Sequence, residues 1–590
     1  MNAPHPVPLL GWAPTVTLAM PGSKSVANRL LVLAALAADD GVPVVVRGVP
    51  TSDDVQHLLA GLRTLGYAVE HDAKGSTVTI GARCATAPDH GELLCGNAGT
   101  ALRFLVSLAA ITKGTWTLTG DAAMQRRPIG PLVEAWRQLG VDLQATNGCP
   151  PVRVRSDGPP RGGTVSLDAR QSSQFVSSLL LVGSRLENGL DVTFAGDVAS
   201  LDYARLTART LAAFGIDATV DDRGARVRAC TAAARALEVP VDGDWSAMGV
   251  WTCLAHATGA RITGSNLRPA SGQADEALAA TLAALPRTGP HTLDVTPLPD
   301  QFLNLAVLAA LRSGTTTFVG GANLRVKECD RLAVAARELR RLGADVDERQ
   351  DGLVVRGGKL LHGGVVDPER DHRVAMAFAL LGLLSPGVAI ADPGCVAKSY
   401  PTFWRDLDLV LAHRPPLVLV GMRGSGKSTL ARALVARTSA HHVDVDAQFV
   451  DRHGPIAAFV ARQGWPAFRA IEAELVATAL RPNTVVATGG GAVEHAETRH
   501  LLRQQARVLW LDAPLALLRA RLAGDAAARP SLTGAPVLDE LEAVLRRRTP
   551  LYAEVADVRL DAGLSLDAQC AAAFSFAAAG AAREAPPPPA

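Results

Sequence analysis

Residues 421–428 read Gly-Met-Arg-Gly-Ser-Gly-Lys-Ser, a complete phosphate-binding loop more than two-thirds of the way along a chain of 590 residues. An apolar run at 417–420 precedes it and a helical stretch at 429–436 follows. That order is what the chemistry requires. Glycines let successive backbone N–H groups converge on phosphate oxygens, the lysine supplies a point charge, and the hydroxyl reaches Mg²⁺. Gly421, Gly424, Ser425, Gly426, Lys427, Ser428 and Thr429 are therefore the candidates for holding ATP. About 170 residues run from this loop to the end, enough for one small nucleotide-binding domain. The longer stretch in front must do something else.

Its organisation is repetitive. A helix end, a Leu-Gly or Phe-Gly turn and a strand recur around Gly66, Gly140, Gly215 and Gly343. Each glycine stands where a helix needs a left-handed residue after its last turn. A second phrase, a strand ending in a turn that opens into a loop, recurs near Gly48, Gly120, Gly196, Gly264, Gly320 and Gly394. Six α/β units arranged as closed lobes fit this spacing better than a solenoid, whose periods are usually shorter.

The chain is 48% hydrophobic and 20% charged with a formal net charge of +2, so neither a nucleic-acid nor an acidic-membrane partner is indicated. The eight cysteines form no C-x-x-C pair or Cys/His cluster, which fits a reducing cytoplasm and argues against a zinc site. The apolar stretch 374–391 is broken by Ser385-Pro386-Gly387 and reads as a buried helix, a turn and a strand.

The loops of the front portion are rich in fixed cations: Lys24, Arg29, Arg103, Arg126, Arg127, Arg325, Lys327, Arg331, Arg373 and Lys398. Singly, each reads as a solvated loop charge. Recurring in successive units, they suit a substrate with several phosphate or carboxylate groups.

The motifs that contain them are PGSKSVANR at 21–29, GNAGTALR at 96–103, RPIG at 127–130, SSQF at 172–175, NLRVKECDR at 323–331, DHRVAMAF at 371–378 and DPGCVAKSYPTFW at 392–404. Together they resemble 5-enolpyruvylshikimate-3-phosphate (EPSP) synthase over about residues 8–411. The resemblance implies two lobes of three α/β units each, one formed by 1–22 with 243–412 and the other by 23–242. It implies metal-free transfer of a carboxyvinyl group from phosphoenolpyruvate to shikimate 3-phosphate. Ser25, Arg29, Ser172, Ser173, Ser200, Asp300, Asn323 and Lys327 would hold shikimate 3-phosphate, with Tyr203 beside them. Lys24, Asn97, Gly99, Thr100, Arg127, Gln174, Arg331, Arg373 and Lys398 would hold phosphoenolpyruvate, with Arg103 shaping the cleft. Lys24, Asp300 and Glu328 would be catalytic; the plain alternative for Asp300 and Glu328 is salt-bridging to Lys327 and Arg331. Phe104 stands where some relatives place proline.

After the phosphate loop come HVDVD at 442–446, FRAIE at 468–472, TGGG at 488–491, Arg529-Pro530 and RTPLY at 548–552. Strand alternation over 442–446 predicts Asp444 and Asp446 on one face. These residues resemble shikimate kinase, in a domain spanning 413–570. The resemblance implies ATP and shikimate as substrates and Mg²⁺ held by Ser428 and Asp444. Asp446, Arg469, Gly489, Gly490, Gly491 and Arg548 would bind shikimate. Asp446, Lys427 and Arg529 would be catalytic. Arg529 would reach the ATP phosphates from a lid at 522–536, and Arg521 is a candidate for stacking on adenine. Residues 571–590, rich in alanine and ending in four prolines and an alanine, are expected to form a disordered tail.

A bifunctional enzyme of consecutive steps is the reading that joins the two motif sets. Two others are weighed against it: a front portion acting on a nucleotide sugar, and a C-terminal domain that binds nucleotide without catalysis.

Overall fold

Among the described residues, three hydrophobic cores organise the chain, and each follows from helices and strands apolar on the faces they bury. The computed structural model describes residues 3–230, 238–523 and 537–578. Arg529 and most of the expected lid lie outside them.

The first core lies within residues 27–241 and is wrapped by three four-stranded sheets. The second joins residues 7–20 to residues 247–411, with one four-stranded, one three-stranded and one two-stranded sheet. Inside the first lobe run helices Lys24–Asp39, Gly99–Ile111 and Gln174–Gly183, and inside the second Trp245–Thr258, Phe302–Leu311 and His372–Leu384. They are apolar nearly all round, as interior helices must be. The chain passes between lobes at two adjacent segments joined by an isolated antiparallel bridge, Gly22 opposite Gly243. Ser23 N–H donates to the Asp242 carbonyl at 2.8 Å and Asp244 N–H to that of Pro21 at 2.9 Å. Gly66, Gly140, Gly215 and Gly343 all have φ between 74° and 97°, one residue past the cap of their helices, as the repeated phrase predicts.

The third core is a five-stranded parallel sheet in the order His441–Asp444, Thr484–Ala487, Leu417–Val420, Arg507–Asp512, Val558–Asp561, flanked by helices. Helix Leu566–Ala578 continues through the first eight residues of the stretch expected to be tail. Ala573 is buried in the third core and Phe574 packs against it, and these two apolar contacts hold the helix where composition suggests disorder.

This core also contains a residue from the other end of the chain. Trp12, 2% exposed, belongs to it. Its indole N–H donates to the Pro415 carbonyl at 2.6 Å, and the Arg414 guanidinium lies 4.7 Å from its ring centroid. Arg414 is fully buried. It donates to the Leu10 carbonyl at 2.6 Å, to Ser439 at 3.2 Å and to Asn483. The five-residue connector 412–416 is thus a packed joint rather than a tether.

Candidate active sites

Five of the six interior helices begin at or next to one cleft between the lobes, where Lys24, Gly99, Gln174, Asp300 and His372 stand together. Helix N-termini carry partial positive charge, so the scaffold itself favours anions there. Lys24, Ser25, Arg29, Gly99, Thr100, Arg127, Ser172, Ser173, Gln174, Ser200, Tyr203, Asp300, Asn323, Lys327, Glu328, Arg331 and Arg373, all singled out in the sequence, line it. Lys398 and Asn97 sit at its margin: the Lys398 ammonium donates to the Asn97 carbonyl and pairs with Asp54 at 2.9 Å.

Fixed charges knit the two lobes. Asp54, on the first lobe, accepts from Lys24 at 2.9 Å and from Lys398 of the second lobe at 2.9 Å. Arg127 of the first lobe lies 3.7 Å from Glu328 of the second. Arg331 is 1% exposed and pairs with Asp371 at 2.8 Å, Glu328 at 3.0 Å and Asp300 at 3.1 Å. Arg373 reaches Asp300 at 2.8 Å. Burial alone would raise the Asp300 carboxyl, but Arg373, Lys327 and Arg331 hold it well below the usual range. Glu328 is likewise pulled well down, against burial, by Arg127, Arg331 and Lys398. Burial lowers Lys327 to about 8 despite the carboxylates beside it.

Several groups in the cleft await partners. Ser200 Oγ, Asn323 Oδ1 and both ring nitrogens of His372 are buried with no hydrogen-bond partner among the described residues. Ser200 also adopts a left-handed backbone, φ 55°, which is strained for a residue with a side chain. Arg29 differs from the other cations. Its donors go to Thr207 at 2.8 Å, Ser177 at 3.1 Å and the carbonyls of Ser25 and Tyr203 at 2.6 and 3.0 Å. Arg103 donates to the Gln174 amide oxygen at 2.5 Å, so it fixes a neighbour that lines the cleft.

The phosphate loop folds at Gly421, Gly424 and Gly426 with φ of 144°, 80° and 102°, conformations that demand glycine. Lys427 Nζ donates to the Gly421 and Met422 carbonyls at 2.9 and 3.0 Å. Ser428 Oγ donates to Asp444 at 2.6 Å. A hydroxyl beside a carboxylate at the mouth of a phosphate loop is an all-oxygen donor set suited to Mg²⁺. The expected common face of Asp444 and Asp446 is corrected here. The strand stops at Asp444, whose carboxylate caps helix Val445–His453 by accepting from Ala447 N–H at 3.1 Å. Helix capping overrides alternation, and Asp446 enters its pocket from the first helical turn.

Two cavities meet there. One, of about 540 Å³, is lined by Gly424 to Thr429 and Arg521. The other, of about 380 Å³, is lined by Trp465, Arg469, Glu472, the triple glycine and Arg548. Asp446, Gly490 and Arg423 border both. The glycines let side chains of the pocket approach the backbone closely. A Cβ on Gly489 would meet Glu472 at 2.0 Å and Asp446 at 2.8 Å, and one on Gly491 would meet Arg469 at 1.9 Å. Arg521 is held by the Gly424 and Ser425 carbonyls at 3.3 and 3.0 Å and by Ala562, which fixes it against the loop.

Sequence reading missed Asp54, Arg423, Glu472 and Glu494. Glu494 grips Arg548 through both its oxygens at 3.1 Å. Asp54 and Glu494 carry no local mark, because their partners come from other segments, whereas Arg423 stood inside the phosphate loop and Glu472, paired with Arg469 three residues earlier, inside the motif at 468–472.

A two-lobed cleft lined with cations and a P-loop domain with a polar acceptor pocket define a transferase paired with a phosphoryl-transfer fold. Residues 14–407 match the family model for EPSP synthase (3-phosphoshikimate 1-carboxyvinyltransferase), and residues 423–576 match that for shikimate kinase. The chain belongs to the EPSP synthase family and carries a shikimate kinase domain behind it. A 3-phosphoshikimate 1-carboxyvinyltransferase from Rhizobium etli is 38% identical over 396 residues, covering 66% of this chain and 92% of its own. A pentafunctional AROM polypeptide from Komagataella phaffii is 32% identical over 611 residues, covering 92% of this chain but 39% of the relative. The chain thus spans about two-fifths of that longer polypeptide. An EPSP synthase structure from Acinetobacter baumannii covers 69% of this chain and 98% of its own with a TM-score of 0.54 at 23% identity, a likeness of fold. No helix among the described residues is long and apolar enough to cross a membrane.

Proposed function

We propose that the C-terminal domain phosphorylates shikimate with ATP, and that the two-lobed portion converts the product with phosphoenolpyruvate into 5-enolpyruvylshikimate 3-phosphate and phosphate. The observation that carries the pairing is that one chain holds both sites, each with charged and polar groups of the described residues converging on one place.

In the kinase, Lys427 and the loop amides cradle the ATP phosphates, and Asp446, standing between the two cavities, accepts the proton of the shikimate hydroxyl. Arg469 and Arg548 face the shikimate carboxylate. Bound Mg²⁺, held by Ser428 and Asp444, would neutralise charge on the phosphates. A decayed, non-catalytic regulator would have been expected to lose one of these groups.

In the synthase, the second-lobe cations Arg331, Arg373 and Lys398 face Lys24 and Arg127 across the cleft, so two anionic substrates bridge the lobes and favour closure. Asp300 accepts the 5-hydroxyl proton. Glu328 exchanges a proton with the vinyl carbon. In the free cleft both are ionised, but phosphoenolpyruvate anions would occupy Arg127, Arg331 and Lys398, weaken their hold on Glu328 and raise its pKa towards protonation. The surrounding cations stabilise the departing phosphate.

Lys427→Ala is expected to abolish phosphorylation of shikimate while leaving conversion of supplied shikimate 3-phosphate intact. Asp300→Asn is expected to do the reverse. Product analysis with each substrate set decides it, and loss of both activities in either folded variant would refute the assignment. Gly491→Ala pushes Arg469 off its position, so the shikimate KM is expected to rise on the order of tenfold to a hundredfold. Steady-state kinetics with an unchanged KM would exclude Arg469 from substrate binding.

A further inference from the structure

Asp300 has a second buried carboxylate behind it. Tyr203 Oη lies 3.2 Å from Asp300 Oδ2 and 3.4 Å from Asp275 Oδ2. One phenol proton stands between two carboxylates and can satisfy only one at a time. Asp275 is 3% exposed, and its other hydrogen bonds come from neutral donors: Ser246 Oγ on Oδ2, and Gln301 Nε2 on Oδ1 at 3.0 Å. Asp300, by contrast, is fastened by Arg331 and Arg373. Tyr203 belongs to the first lobe and both aspartates to the second, so the bridge exists only when the lobes are together.

We propose that Tyr203 and Asp275 form a proton relay that carries the substrate 5-hydroxyl proton away from Asp300 in the closed synthase. This rests on the reading of Asp300 as the base. The step balances without any co-reactant. As the 5-hydroxyl oxygen bonds to C2 of phosphoenolpyruvate, its O–H bond breaks and the proton passes to Asp300 Oδ2. Tyr203 Oη takes that proton while giving its own to Asp275 Oδ2. Tyr203 ends unchanged, Asp300 returns to its ionised form, and Asp275 becomes a neutral acid. The proton retraces the path and leaves when the lobes open.

The electrostatics run in the same direction. A carboxylate surrounded by Arg373, Lys327 and Arg331 is a poor resting place for a proton. Burial first, and then the Asp300 charge, lift Asp275 to about 6, against the pull of Arg373. Tyr203 is raised well above the ordinary tyrosine value, chiefly by burial and then by Asp275 and Asp300, so it passes protons without losing its own. The other charged groups facing this set are Lys24, which also lowers Asp300, and Asp244, at the start of the neighbouring helix.

The test is synthase turnover of the full-length enzyme from pH 5 to 9 with saturating shikimate 3-phosphate and phosphoenolpyruvate, for Asp275→Asn, Tyr203→Phe, their double and Asp300→Asn. Asp275 must be ionised to receive the proton. Wild-type kcat should therefore fall as pH drops through the region near 6. In Asp275→Asn that limb should vanish, with a plateau kcat lower by roughly tenfold to a hundredfold. The double variant should be no slower than its slower single. A limb that persists in Asp275→Asn, or losses that multiply in the double, overturns the relay. Should Asp275→Asn not fold, Tyr203→Phe must remove the same limb. Substantial turnover by Asp300→Asn would instead bring down the base assignment itself, an outcome distinct from failure of the relay alone.

Discussion

Trp12→Ala is expected to destabilise the kinase, although Trp12 lies about 400 residues upstream of it. Truncating a fully buried tryptophan costs about 3–5 kcal/mol, and here it also removes a hydrogen bond and an aromatic face beneath a buried guanidinium. For a domain of this size that lowers the melting temperature by roughly 10 °C. Calorimetry of the full chain should show the kinase transition moving down. After mild heating, shikimate phosphorylation should be lost before synthase turnover. A fragment beginning at residue 413 lacks Trp12 altogether and is expected to refold poorly. A kinase transition unmoved in Trp12→Ala would show the indole to be a passenger. The two chemistries are separable by mutating Lys427 or Asp300, but the two folds share a joint.

Arg331→Met should strike the synthase harder than any change to a single cleft-lining serine. It leaves Asp371 and Glu328, both nearly inaccessible, without their shared cation. Removing one partner of such a cluster costs about 3–5 kcal/mol. Turnover should fall below detection while the kinase continues. The penalty should depend on pH in a stated direction. With Arg331 present, Glu328 and Asp300 titrate well below their unfolded values, so their contribution is intact at neutral pH and is lost only as pH falls through those depressed values. Without it their folded pKa values rise, and mild acid should narrow the gap between variant and wild type. Denaturant titrations at pH 7 and pH 5 measure this, and a cost under about 1 kcal/mol at pH 7 would mean the cluster is rescued by Arg373.

Local sequence was informative wherever one segment carries its own reason. Strand Leu417–Val420 is short and wholly apolar, and it occurs at the apolar run that precedes the phosphate loop. The glycines after four helices are fixed by backbone conformation alone. Most cleft residues were legible because they sit inside dense motifs. What escaped needed a partner from elsewhere. Asp54 has meaning only beside Lys24 and Lys398, 30 and 344 positions away. Asp275 has meaning only through Tyr203, and Trp12 only inside a core built from the other end of the chain. The failed alternation at Asp444 has a local cause, since a helix cap and a strand end compete for the same aspartate.

The joint at Trp12 bears on how the intermediate travels. Arg414, Ser439 and Asn483, which hold it, all precede strands of the parallel sheet, whereas the phosphate loop, Asp446 and the triple glycine all follow them. Helix Leu566–Ala578 spans the same distance in reverse, with Leu566 at the nucleotide pocket and Phe574 beside Gly11. Shikimate 3-phosphate is therefore expected to leave at the edge of the kinase sheet away from the weld. Unlabelled shikimate 3-phosphate added during conversion of labelled shikimate should dilute the label in the final product. The union of the two enzymes would then act as a ratio rather than a conduit: every ribosome that completes the kinase has already made the synthase.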